Sequence, residues 1–94
     1  MHTQLPPHRF IPLTQIATDS PVLVIDSHAP LVDLHACVSE RLHTVLSYLT
    51  LMACTALRDT DERDISTVAN VARLMVQDIS DVLGVIETRA LGTS

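Results

Sequence analysis

The chain has 94 residues, 47% of them hydrophobic but only 2% aromatic, with a formal net charge of −5. Its size allows one small domain, burying somewhat more than about 60% of its unfolded surface, with a core of Leu, Val, Ile, Ala and Met. The six basic residues are all Arg, scattered at Arg9, Arg41, Arg58, Arg63, Arg73 and Arg89 among 11 acids. That pattern argues against a nucleic-acid partner, which requires clustered cations, and no apolar run nears the about 18 residues of a membrane span.

Residues 1–20 read as an N-terminal arm, extended or partly disordered. Pro6, Pro7 and Pro12 forbid a helix, while Leu5, Phe10, Ile11, Leu13 and Ile16 are too apolar for a purely solvated tail. With no apolar core of the secretory type in this stretch, the expected compartment is the cytoplasm. Pro21 then opens the β-branched run Val22-Leu23-Val24-Ile25, which Asp26 and Ser27 end. A lone run of this length cannot form a sheet. It is expected to pair with its copy across a twofold axis or to pack in extended form on the helices.

The rest, residues 21–94, reads as a helical-hairpin domain. A first helix is expected over about 30–58, opened by Pro30, with Asp33 near the positive end of its dipole. Leu31, Leu34, Val38, Leu42, Val45, Leu49, Met52 and Ala56 recur at steps of three and four, and Leu46, Ala53 and Leu57 widen the stripe. The acidic run Asp59-Thr60-Asp61-Glu62-Arg63-Asp64 reads as a turn and N-cap, with Asp59 and Glu62 at capping-box spacing. A second helix is expected over about 62–90, Arg89 and Gly92 marking its end. Ile65, Val68, Ala72, Met75, Ile79, Val82 and Ile86, spaced 3, 4, 3, 4, 3, 4, form its seam. Gly84 lies inside this helix at a cost of about 1 kcal/mol relative to Ala.

A short turn between long helices makes an antiparallel pair. Leu51, Val71, Leu74 and Val85 fall well around the helices from the seam and form a second apolar face. A lone two-helix unit leaves that face wet. The expected fold is therefore a mainly α hairpin that dimerises into a four-helix bundle, with Leu34, Val38, Leu42, Val45, Leu49 and Met52 facing the seam of the second helix.

Candidate chemistry is sparse. His28, His35 and His43 are spaced seven and eight, so no two of them reach one ion from a straight helix. A site between chains, or one completed by His2 and His8 of the arm, is the metal-binding alternative. Asp26-Ser27-His28 has the letters of a catalytic triad, but adjacent residues cannot converge as one. Cys37 and Cys54 lie 17 residues apart, about 25 Å along one helix, too far for a disulfide; both are expected to be buried or half-buried thiols. With Gly84 and Gly92 the only glycines there is no phosphate loop. No cofactor, metal or catalytic residue is assigned.

Pro21-Val22-Leu23-Val24-Ile25 followed by Ala29-Pro30-Leu31-Val32-Asp33-Leu34 resembles the opening of an uncharacterised family of short pseudomonad proteins. There an apolar strand-like segment leads through a proline turn into a long helix and then a second. The resemblance covers residues 21–90 and implies the helical hairpin but no activity. This chain departs in having no Phe in the segment and in its proline-bearing arm. The functional expectation is a non-enzymatic, acidic helical protein that acts on a protein partner as regulator, adaptor or phage-type inhibitor. The alternative is a ligand- or metal-binding bundle with inter-chain His and Cys.

Overall fold

The computed structural model describes residues 9–54 and 62–92. Four elements follow in order: β1 (Phe10–Pro12), β2 (Val24–Asp26), α1 (Leu31–Cys54) and α2 (Glu62–Gly92). The helices dominate and pack on each other, and the strands form a two-stranded antiparallel sheet. No helix is long and apolar enough among these residues to cross a membrane.

The strand-like run does not wait for a second chain. β2 pairs with β1 of its own arm, in the register Phe10↔Asp26, Ile11↔Ile25, Pro12↔Val24. The arm therefore supplies the missing strand, and the backbone groups of the run that face β1 are satisfied within one chain. Pro12 is tolerated because it ends an edge strand, where no ladder donor is needed. Beyond it the ladder continues with Leu13 N–H donating to Leu23 O at 3.0 Å. The Gln15 side chain organises the connection: its Oε1 accepts from Val22 N–H (3.2 Å) and Thr18 Oγ1 (2.9 Å).

At the other end, Arg9 clamps the strands. Its Nε and Nη2 donate to the two carboxylate oxygens of Asp26, at 3.0 and 3.1 Å. This parallel fork is the stronger ion-pair geometry. The Arg9 hydrogen bonds, aided by the His28 N–H, hold the Asp26 carboxyl below its usual range. Buried Ser27 closes the ladder, its N–H and Oγ both donating to Arg9 O.

Pro30 lends its carbonyl to the N–H groups of Asp33 and Leu34, so α1 starts one residue after the proline. Glu62 and Asp64 place negative charge in the first turn of α2, and Arg89 positive charge in its last. The expected capping residue Asp59, the stripe members Ala56 and Leu57, and His2 and His8 lie outside the described residues.

The core sits at the sheet-capped end. Ile25 of β2, Leu34 of α1 and Val82 and Val85 of α2 form one buried cluster, flanked by Ile11, Leu13, Ala29, Cys37, Val38 and Ile86. Val45 and Ile79 are buried further along the helix pair. Toward the C-terminal end of α1 and the N-terminal end of α2, Met52, Val68, Ala72 and Met75 are only half-buried, and Ile65 is exposed. Arg41 spans the pair, its Nε 3.6 Å from Asp78 and its Nη1 donating to Cys37 Sγ.

Val85 departs from the sequence reading. Assigned to the second apolar face, it is 5% exposed and belongs to the core, because the sheet folds over that side of α2. The other members, Leu51, Val71 and Leu74, lie farther from the sheet-capped end and stay exposed. The second face thus exists, but the chain covers one end of it unaided.

Candidate functional site

Two surfaces are built by this arrangement, one between the sheet and α2 and one on the side of the helix pair away from the sheet. The first is a cleft between the sheet and α2. Ile11 of β1 and Ser27 and His28 after β2 form one wall, and Ser80, Asp81, Gly84, Val85, Thr88 and Arg89 form the other. Its volume is about 760 Å³ and its surface is mostly apolar, within the range of about 300–1,000 Å³ typical of small-molecule sites.

Local sequence explains the opening. Ser80, Gly84 and Thr88 succeed one another at four-residue steps, so small side chains line one stripe of α2. A Cβ placed on Gly84 would meet nothing within 4 Å. The chain's own packing therefore does not require glycine there, although glycine costs the helix about 1 kcal/mol relative to alanine.

Asp81 holds the cleft's outer edge. One carboxylate oxygen accepts from Thr14 N–H at 2.8 Å; the other accepts from Thr14 Oγ1 at 2.9 Å and Gln77 Nε2 at 3.1 Å. These bonds latch the sheet's connection onto α2. At the inner end, Arg89 Nη1 donates to the Ala29 carbonyl, tying the end of α2 to the start of α1. No carboxylate among the described residues forms an ion pair with Arg89, whereas Arg9 and Arg41 both have one.

The second surface is an uncovered apolar face. At about 100° per residue, Leu31, Leu42, Leu46 and Leu49 fall within about 60° of one another on α1, and Ile65, Val76 and Leu83 within about 20° on α2. In an antiparallel pair these two stripes flank the seam on the same side, away from the sheet. All seven side chains are exposed, Leu42 by 48% and Leu46 by 58%. The flank of α1 carrying these leucines, with His35, Val38, Ser39 and Ala53 alongside, bears no Asp, Glu, Lys or Arg.

The residues named from sequence are thus divided. Leu34, Val45, Ile79 and Val82 are buried; Val38, Met52, Val68, Ala72, Met75 and Ile86 are half-buried; Leu42, Leu49 and Ile65 are exposed. His28, His35 and His43 are all exposed, and no group of three or more His, Cys, Asp or Glu among the described residues could hold a metal ion. Both thiols are free. Cys37 is half-buried as expected, but Cys54 is exposed, since it lies in the last turn of α1 beyond the packed part of the pair. Sequence reasoning missed the cleft. Its only signal was Gly84 with the serine and threonine at its four-residue neighbours.

No protein-family model, curated protein or solved structure matches the chain.

Proposed function

We propose that this protein is a non-enzymatic interaction module that works as a homodimer, two helical hairpins joining through the leucine face into a four-helix bundle. The observation that carries this reading is the uncovered face itself. Leu31, Leu42, Leu46, Leu49, Ile65, Val76 and Leu83 together expose on the order of 600 Å², the upper end for a patch on a monomer. A standard interface takes about 800 Å² from each partner, with charge depleted at its centre. The charge-free flank of α1 meets that requirement. A second copy presents the same face, so a twofold contact is self-complementary.

In this dimer Leu51, Val71 and Leu74 remain exposed on the opposite side, beside the sheet. They are the surface left for a partner of another kind, which this reading takes to be a protein. Sedimentation velocity or light scattering of the purified chain tests the assembly: a dimer mass is expected at micromolar concentration. Leu46→Asp places a charge at the centre of the face without touching the core, and is expected to shift the mass to monomer. A strict monomer in the parent protein, or a Leu46→Asp dimer, defeats the proposal.

A further inference from the structure

We propose that the cleft between the sheet and α2 binds a small amphipathic monocarboxylate, with the carboxylate on Arg89 and the apolar body over Ile11 and Val85. The cleft belongs to a single chain, and Ile11, Val85 and Arg89, which carry the ligand, lie on the sheet side of α2 rather than on the leucine face, so this inference does not rest on self-association.

Three observations converge on that ligand. The first is the cleft's volume of about 760 Å³ and its mostly apolar surface, which favour an apolar body. The second is Arg89. Its guanidinium carries five N–H donors in a planar fork that matches a carboxylate; one nitrogen is engaged by the Ala29 carbonyl, and no described carboxylate neutralises the charge. A single arginine in the lining calls for one negative charge, whereas a phosphate dianion would require more cations. Asp81 does not oppose this placement. It is eight residues from Arg89, about 12 Å along the helix, beyond a Debye length of about 8 Å at physiological salt. Both its oxygens already accept hydrogen bonds from Thr14 and Gln77.

The third observation is Gly84. Nothing in the chain approaches its missing Cβ, so the glycine clears space that the fold itself leaves unfilled. That space lies in the cleft wall, about 100° round α2 from Val85, and leaves room for the far end of a ligand whose body lies over Val85. Ser80 and Thr88, one turn to either side of Gly84, keep that wall low.

The test is an NMR titration of the full ¹⁵N-labelled chain with hexanoate, with hexanol and hexylammonium as matched neutral and cationic probes, each to about 10 mM. Saturable shifts confined to residues 11, 27–28 and 80–89 are expected for hexanoate, at least tenfold weaker for hexanol and absent for hexylammonium. Arg89→Gln should erase the preference for hexanoate over hexanol. Because Arg89 also anchors Ala29, Gly84→Leu serves as the second variant: it fills the cleft from open space and should abolish binding with helicity retained. Hexanol binding as tightly as hexanoate, shifts mapping to Leu42 and Leu46 instead, or no saturable shift at all would each overturn the assignment. So would undiminished binding by a folded Gly84→Leu protein.

Discussion

Replacing Ile79 by Asp tests whether the helix pair has the core described here. Ile79 is 8% exposed at the middle of α2, so the change loses about 1.5–3 kcal/mol of apolar burial. It also puts a carboxylate where water is excluded, at a penalty of several kcal/mol unless a cation neutralises it. Arg41 already serves Asp78, Glu40 and the Cys37 sulfur, and recruiting it would break the bridge between the helices. The sum is at least about 5 kcal/mol, comparable with the whole stability of a domain of this size, about 0.05–0.15 kcal/mol per residue. The expected result is loss of helical circular dichroism at 25 °C, whereas Ile79→Val should cost only about 0.5–1.5 kcal/mol in urea denaturation. Leu83→Asp is the informative contrast. Leu83 is 38% exposed, so in a lone chain the change costs about 1–2 kcal/mol of burial, well short of Ile79→Asp, while in the dimer it also disrupts assembly. Native helicity and an unchanged urea midpoint in Ile79→Asp would refute the placement of the core.

Other expectations concern the sheet and the cleft. Asp81→Ala removes the acceptor of Thr14 N–H, Thr14 Oγ1 and Gln77 Nε2, a loss of about 1–2 kcal/mol. Hydrogen exchange of the Thr14 amide should accelerate while amides near Val82 keep their protection. The lowered Asp26 carboxyl contributes stability that is complete above the unfolded carboxylate value of about 3.9 and is lost as pH falls through the lower folded value. Chemical shifts of Ile11 and Ile25 should therefore hold through pH 4 and change only below it, and Arg9→Met should move that change upward. Gly84→Ala, whose Cβ meets nothing, should raise stability by about 1 kcal/mol in urea. No gain there would mean that glycine relieves a constraint on the helix itself.

The helices were legible because their signals are local. Steps of three and four from Leu31 to Met52 and from Ile65 to Ile86 mark one face of each helix, and Pro30 and the acids at Glu62 and Asp64 mark the starts. The pairing of Ile11 with Ile25 was not legible. Three-residue strands carry too little alternation, and Pro12 argues against a strand until an edge position makes it harmless. Missing β1 had a further consequence. With no sheet to cover it, Val85 could only be grouped with Leu51, Val71 and Leu74, and the whole second face had to be assigned to another chain. The cleft was illegible for a related reason, since it exists only where Ile11, Ser27 and His28 come to lie beside α2.

The uneven distribution of the core separates a lone chain from an assembled one. At the sheet-capped end, Ile25, Leu34, Val82 and Val85 bury one another. Toward the N-terminal end of α2, Val68, Ala72 and Met75 are only half-buried, and Leu46, Leu49 and Ile65 are exposed. Local opening free energies follow the number of buried apolar contacts. A single chain should therefore show a steep gradient along α2, with amides near Val68 exchanging much faster than those near Val82. In a four-helix bundle the second copy covers Leu46, Leu49 and Ile65, and the gradient flattens. Hydrogen exchange of the parent protein beside Leu46→Asp measures that difference: protection near Val68 should fall in the variant, with protection near Val82 less affected. Identical exchange profiles would mean that nothing covers the leucine face in solution, and a parent profile already as steep as the variant's would point to the same conclusion without any substitution.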